Sequence, residues 1–507
     1  MSLISLQKAA YAETHFKFRL PWSLLYRKHP EILIDAPFQV QGNLAPEIWI
    51  VARDADRFPC DFFDLKLSIS KEGEESFDVS IDQKLHLSKN FEFHSLWLPQ
   101  LKPGHYKINA SFKTSIQKKI KTWKRWTYPF LKATPLQIHV LQDKYFVPKG
   151  FAAGEMHCHT HYTSSHVEFG APPWVLQRVA SQVGLDFVLC TDHSYDLAFD
   201  AKDYTLETKP DERFAALKKE VEHLDKEPLM LVGEEVSVGS HQNKNLHLCV
   251  LRPKEYIPGI GDSGRYFFKN KPSLSIPEAL QIINGPCFAA HPLQKMSFLE
   301  RIVFNRGYWD SKDLCAQAQN PVRGIQFWNG SLDKGFKKGK AWWVSLLEKG
   351  VRVLPIGGND AHGDFNNTVG IQLPLISLKQ SQKHLFGKVK TVIPVDGDLN
   401  ENAIVKSFEK DRLYLTNGPA LWWTRTENGL VFEAQSSTDF GKISAFLIFA
   451  KKNTHSKETL ILKLKNLSYY ESQSLSFQDY AYLRAELHTQ NAYALTSAAF
   501  ADFKNES

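Results

Sequence analysis

The stretch Glu155-Met156-His157-Cys158-His159-Thr160-His161-Tyr162-Thr163-Ser164-Ser165-His166 places four histidines within ten residues. Side chains on an extended strand alternate between faces, so His157 and His159 leave on the same one. Neutral imidazole is the commonest protein ligand of transition metals, binding at about 2.0–2.1 Å, and two on one face can grip one ion. Taken alone the pair is weak evidence in a chain with 19 histidines among 507 residues. The downstream sequence gives it weight.

Several apolar runs after it end in, or carry, a metal-ligand residue type. Asp186-Phe187-Val188-Leu189-Cys190-Thr191 leads into Asp192-His193, and Leu229-Met230-Leu231-Val232-Gly233 into Glu234-Glu235. His247 lies within Asn245-Leu246-His247-Leu248-Cys249-Val250. Cys287-Phe288-Ala289-Ala290 ends at His291-Pro292, and Val351 to Gly358 ends at Asn359-Asp360-Ala361-His362. Continuous apolar runs of this kind read as buried parallel strands. They alternate with helical stretches such as Pro173 to Val183 and Asp211 to Leu224, the pattern of βα units. In a β/α barrel the active site gathers side chains from the C-terminal ends of different strands.

A chain of this length implies two or three domains. Residues 1–150 read as an N-terminal β-sandwich-like domain, from short strands at Ile48-Trp49-Ile50-Val51-Ala52, Leu65-Lys66-Leu67-Ser68-Ile69 and Tyr106-Lys107-Ile108-Asn109-Ala110. Residues 151–420 read as the β/α barrel and 421–507 as a C-terminal β-rich domain. The segment from Lys113 to Lys132 interleaves lysines with Trp123, Trp126, Tyr128 and Phe130. A solvated hairpin with aromatic feet in the core explains it better than a membrane or nucleic-acid surface.

The net charge of +7 suits an anionic small molecule without demanding one. There is no nucleic-acid-binding motif. No apolar run approaches the ~20 residues of a membrane helix, and the start, Met1-Ser2-Leu3-Ile4-Ser5-Leu6-Gln7-Lys8, lacks a signal-peptide pattern. The six cysteines show no CxxC and no regular framework. They read as reduced thiols of a cytoplasmic protein.

As an ordered set, His157-Cys158-His159-Thr160, Thr191-Asp192-His193, Gly233-Glu234-Glu235, Ala290-His291-Pro292 and Asp360-Ala361-His362 resemble the motifs of the polymerase and histidinol phosphatase (PHP) family of metal-dependent hydrolases. Arg412-Leu413-Tyr414-Leu415-Thr416-Asn417-Gly418-Pro419, Arg484-Ala485-Glu486-Leu487 and Ala494-Leu495-Thr496 resemble its subgroup of carbaryl-hydrolase-like proteins, CehA and McbA. The resemblance covers roughly residues 150–500. It implies a distorted (β/α)7 TIM-like barrel, flanked here by β-rich regions and holding two or three divalent ions. His157, His159, Glu235 and Asp360 would hold the first, Glu235 would bridge to a second shared with His247 and His291, and His193 and His362 would hold the third. Adjacent strand residues face opposite ways, so only one of Glu234 and Glu235 can be a ligand; the family motif picks Glu235.

The sequence departs from the family at one point. Many relatives carry Asp five residues, or His six residues, after the second histidine of the pair; Ser164 and Ser165 stand there in this chain. His166, one residue later, is the favoured substitute over His161, because loops absorb single insertions.

The mixed His/Asp/Glu set suits Zn, Mn or Fe better than Mg or Ca. Water bridging two such ions exists as hydroxide near neutral pH. The expected activity is phosphate mono- or diester hydrolysis, with Asp192 and Glu234 orienting imidazoles from behind. Two other readings stay open: a carboxyl-ester or carbamate hydrolase, and a non-catalytic metal-binding protein that uses its β domains to bind a partner.

Overall fold

The computed structural model describes residues 29–127, 134–163, 170–200, 206–263, 270–296, 298–315, 318, 321–366, 368–372, 377–427, 429–453 and 457–501. Its centre is a 14-stranded mixed sheet. In spatial order the strands run Leu354–Gly358, Gly324–Asn329, Cys287–Ala290, Asn245–Leu251, Leu229–Gly239, Phe187–Cys190, Phe151–Cys158, Lys390–Pro394, Tyr414–Thr416, Tyr493–Thr496, Tyr480–His488, Ala445–Lys452 and Thr459–Leu464, with Ala499–Phe500 beside Tyr480–His488.

This is not the (β/α)7 barrel expected from the sequence. Strands dominate the chain, and the site-bearing run is interrupted by antiparallel pairs. Leu229–Gly239 and Asn245–Leu251 form a hairpin in which Glu235 stands opposite Cys249. Only Ser240 to Lys244 join them, and a parallel neighbour would need a crossover of a dozen residues or more. The sheet also runs on beyond Phe151–Cys158, through the antiparallel strand Lys390–Pro394, into the C-terminal strands. Of the C-terminal strands, Ala445–Lys452, Thr459–Leu464, Tyr480–His488, Tyr493–Thr496 and Ala499–Phe500 belong to the central sheet, while Ala420–Thr426, Gly429–Gln435 and Tyr469–Glu471 form a three-stranded sheet of their own.

The two strands that carry the outermost site residues meet at their C-terminal ends. The Asp360 amide donates to the His157 carbonyl (2.7 Å) and the His159 amide to the Ala361 carbonyl (2.9 Å). Gly358 permits that approach: a Cβ there would lie 2.9 Å from both the Cβ of His157 and the Nε2 of Gln326. The apolar alternation and runs noted in the sequence fill the core beneath, with Met156, Leu189, Leu231, Val236, Phe288, Ile325 and Ile356 all buried in one cluster.

Residues 29–127 and 134–140 contribute two further sheets, one of three strands and one of seven. They share a core in which Ile32, Ile48 and Ile50 face Phe62, Leu67, Ile108 and Phe112. The basic aromatic segment forms the hairpin strand Lys119–Lys124, largely exposed, with Lys121 Nζ 3.8 Å from the centre of the Trp123 ring; 128–133 lie outside the described residues. These sheets pack onto the central one. Leu33, Trp49 and Val51 join Val175, Leu176 and Val179 in one cluster, and the Phe38 amide donates to the Phe365 carbonyl (2.9 Å). Among the described residues no helix is long and apolar enough to cross a membrane.

Candidate metal centre

The site is built around one buried carboxylate. Glu235 sits in the strand Leu229–Gly239 with no exposed surface. Five imidazoles surround it. His157 Nε2, His159 Nε2 and His193 Nδ1 lie 3.2, 3.4 and 2.9 Å from its Oε2. His247 Nδ1 and His291 Nε2 lie 2.6 and 3.1 Å from its Oε1. Asp360 Oδ1 closes the other side, 3.5 Å from His157 Nε2 and 3.3 Å from His159 Nε2. The His362 ring stacks on His159 with centroids 4.0 Å apart.

Two of these residues occupy backbone conformations that L side chains rarely adopt. His291 has φ 29° and Asp360 has φ 52°. Each lies just after a strand end, at Ala290 and Gly358 respectively. Such conformations cost of order 1–3 kcal/mol and persist where the surroundings impose them.

The donor atoms fit shared cations. Ligand atoms about 2.0–2.1 Å from one ion stand roughly 3 Å apart, the spacing seen here. At this site three groups have donors within 4.8 Å of one another: His157, Glu235, His291 and Asp360; His193, Glu235 and His247; and His159, His193 and His362; a fourth, His241, Asp310 and Asp313, shares no residue with them. Among the described residues, His157 Nε2, His193 Nδ1 and Glu235 Oε2 are buried without a hydrogen bond even though they converge. Buried polar atoms are nearly always satisfied, and a cation shared by these converging atoms would satisfy them.

This grouping differs from the one the resemblance implied. His291 joins His157 and Asp360, while His159 completes a set with His193 and His362. The third set therefore has three imidazoles from described residues alone. Ser164, Ser165 and His166 lie outside the described residues. His161 turns away and pairs with Glu220 (3.6 Å).

The residues behind the donors fix their tautomers. Gln326 Oε1 can only accept, so His157 donates Nδ1–H to it (2.7 Å) and keeps the Nε2 lone pair for the site. Thr163 donates its hydroxyl to Asp192 (2.8 Å) and thereby accepts from His159 Nδ1 (3.2 Å). His362 donates Nδ1–H to the Asp360 carbonyl (3.1 Å). His247 Nε2 faces Asp262 Oδ2 at 2.9 Å. Asp192 thus acts on an imidazole through Thr163 rather than directly, and it also holds Thr160 (2.8 Å). Glu234 faces away from the imidazoles, accepting from the Ser194 hydroxyl (2.7 Å) and the Ile257 amide (3.1 Å).

The electrostatics follow from burial and crowding. Burial would push Glu235 up, yet His247, His157 and His193 hold it well below the usual carboxylate range. Asp360, likewise buried, is held well below it by His157, His159 and His291. Burial, then the neighbouring His362 and His193, keep His159 well below its ordinary value, so it is the neutral ligand form at pH 7. His247, opposed by burial but faced by Glu235 and Asp262, rises to about 9. Burial holds Glu234 well above its usual value, opposed by the hydrogen bonds from Ser194 and Ile257 and reinforced by the negative charge of Asp192 and Asp211.

Sequence reading missed Gln326, Asn329, Thr163 and Asp262. Gln326 and Asn329 left one signal, polar residues in an otherwise apolar strand, Gly324–Asn329. Asn329 donates to Asp360 Oδ2 (3.2 Å). Asp262 left none, since it comes from a loop. A cavity of about 210 Å³ opens over the donors, lined by His193, His247, His291, Asp360 and His362 and by Asn245, Lys295, Arg306 and Trp309.

No known family model and no curated protein matches the chain. Among solved structures it is similar to a β-glucuronidase from Parabacteroides merdae, with 8% identity and a TM-score of 0.17 over 93% of this chain and 77% of that one. It is also similar to a cycloisomaltooligosaccharide glucanotransferase from Paenibacillus sp., with 9% identity and a TM-score of 0.19 over 93% and 70% of the two chains. Likenesses this slight establish neither a shared fold nor a shared chemistry.

Proposed function

We propose that the chain is a metal-dependent hydrolase acting on phosphate esters. The observation that carries this reading is the convergence of six imidazoles and two carboxylates, five of which line one cavity, with buried ligand atoms left without a hydrogen bond. The motif order shared with the polymerase and histidinol phosphatase class supports it. Zn, Mn or Fe ions would be held by the three donor groups and, when bound, would supply Lewis acidity and ready ionisation of water near neutral pH. The chain's own residues do the rest. Gln326, Thr163 and the Asp360 carbonyl hold protons on the outer nitrogens of His157, His159 and His362, so that the inner nitrogens stay available. Arg306 and Lys295 bring positive charge to the cavity wall, suited to the anionic oxygens of a phosphate.

The test is turnover of p-nitrophenyl phosphate, bis-p-nitrophenyl phosphate and p-nitrophenyl acetate by chelator-stripped protein reloaded with Zn, Mn or Fe(II). The reading expects a phosphate ester to be cleaved after reloading and not before. Cleavage of the acetate alone would favour the carboxyl-ester alternative, and no turnover with full metal content would point to a binding protein.

A further inference from the structure

We propose that Asp262 is a positioning residue that fixes an ion-holding histidine and a substrate-facing arginine with one carboxylate; the inference rests on the metal-site reading above. Asp262 is 2% exposed and lies in the loop after Ile260, outside every motif noted in the sequence. Its Oδ2 faces His247 Nε2 at 2.9 Å and accepts from Arg306 Nε at 2.7 Å, while its Oδ1 accepts from the Ser237 hydroxyl. His247 turns its other nitrogen to Glu235, and Arg306 lines the cavity. One oxygen therefore anchors the outer nitrogen of the imidazole and the Nε of the guanidinium, and so the orientation of both groups. Arginine reads a phosphate through parallel N–H groups in a rigid fork, so its orientation decides whether it can do so.

The surroundings are built to keep both loops in register with the strand Asn245–Leu251. The Asn245 side chain donates to the Gly261 carbonyl (3.1 Å) and the Phe304 carbonyl (2.8 Å). The Gly307 amide donates to the Asn245 carbonyl (3.0 Å). A Cβ at Gly261 would lie 2.3 Å from Asn245 Oδ1, so this packing excludes a larger residue. Both arms of the coupling are thus tied to the strand that carries His247.

The experiment is calorimetric titration of the full chain with Zn, then with inorganic phosphate at saturating Zn. Arg306→Gln should leave Zn affinity within twofold and weaken phosphate tenfold or more, with partial recovery in Arg306→Lys. Asp262→Asn should weaken one Zn site about tenfold or more and phosphate as well. Ser237→Ala, which removes only one hydrogen bond to Asp262, should weaken both by a smaller factor and serves if Asp262→Asn fails to fold. Unchanged phosphate binding in Arg306→Gln, or an effect of the Asp262 or Ser237 change on only one ligand or on neither, overturns the proposal. None of these readouts is turnover: a chain that cleaves no ester but shows this pattern would sink the hydrolase reading and leave the coupling intact.

Discussion

Two adjacent glutamates show how much one residue's environment decides. Glu235 is ringed by five imidazoles and held ionised, whereas Glu234 is buried against Ser194 and Ile257 and held towards its neutral form. Replacing a carboxylate that acts as an anion by an amide removes the charge; replacing one held towards its neutral form changes less. Glu235→Gln is therefore expected to lose at least one ion per chain and more than a hundredfold in turnover, measured by elemental analysis and initial rates. Glu234→Gln should retain full metal content. A reversal of the two results would contradict the assigned faces. Gln326→Leu removes the acceptor that fixes the His157 tautomer and should weaken metal binding about 10- to 100-fold, read by competition with a chromogenic chelator. The histidines were legible because ligand types recur at the ends of apolar runs. Gln326 and Asp262 were not, because their partners lie 169 and 15 residues away and meet them only across the sheet or from a loop.

Among elements, the strands themselves could be read from apolar runs, but their directions could not. Phe187–Cys190 and Cys287–Ala290 fall on runs picked out in the sequence, Leu229–Gly239 starts with its run but continues six residues past Gly233, and the helix Pro173–Val183 matches its expected bounds. Asn245–Leu251 looks like the parallel strands around it in composition, yet it is antiparallel to both neighbours. The short turn before it was the available signal, since five residues cannot cross over a sheet. Where elements meet, Gly358 is the narrow point. Gly358→Ala should push the His157 strand from the strand Leu354–Gly358, costing about 1–3 kcal/mol and lowering metal affinity. Thermal melting with and without added Zn measures both, and an unchanged Zn-induced rise in Tm would count against the close approach.

At the scale of the whole molecule, the C-terminal strands are joined to the helix Lys334–Glu348 by a buried charge network. Arg484 donates to Glu486 (2.6 Å) and to Glu458, Lys340 donates to Glu486 (2.8 Å), and Tyr493 donates to the same carboxylate (2.7 Å). This places Arg484 and Glu486, singled out in the sequence only by resemblance, in a buried network that shares no residue with the donors around Glu235. Burial opposes ionisation of Glu486, but Arg484 and Lys340 hold it at about 2 against an ordinary value of 4.5. A depressed folded value stabilises above the unfolded value and is lost as pH falls from 4.5 towards 2, roughly 3 kcal/mol in all. Wild type should therefore exceed Glu486→Gln in Tm at pH 7, with the gap narrowing through that window; a constant gap would contradict the network.

The functional reading depends on one claim, that the donors around Glu235 hold metal. The direct measurement is elemental analysis of the full chain expressed with supplementary Zn, Mn or Fe and purified without chelator. At least two transition-metal ions per chain are expected, falling by one or more in Glu235→Gln; less than one equivalent in the folded wild-type protein would contradict the account.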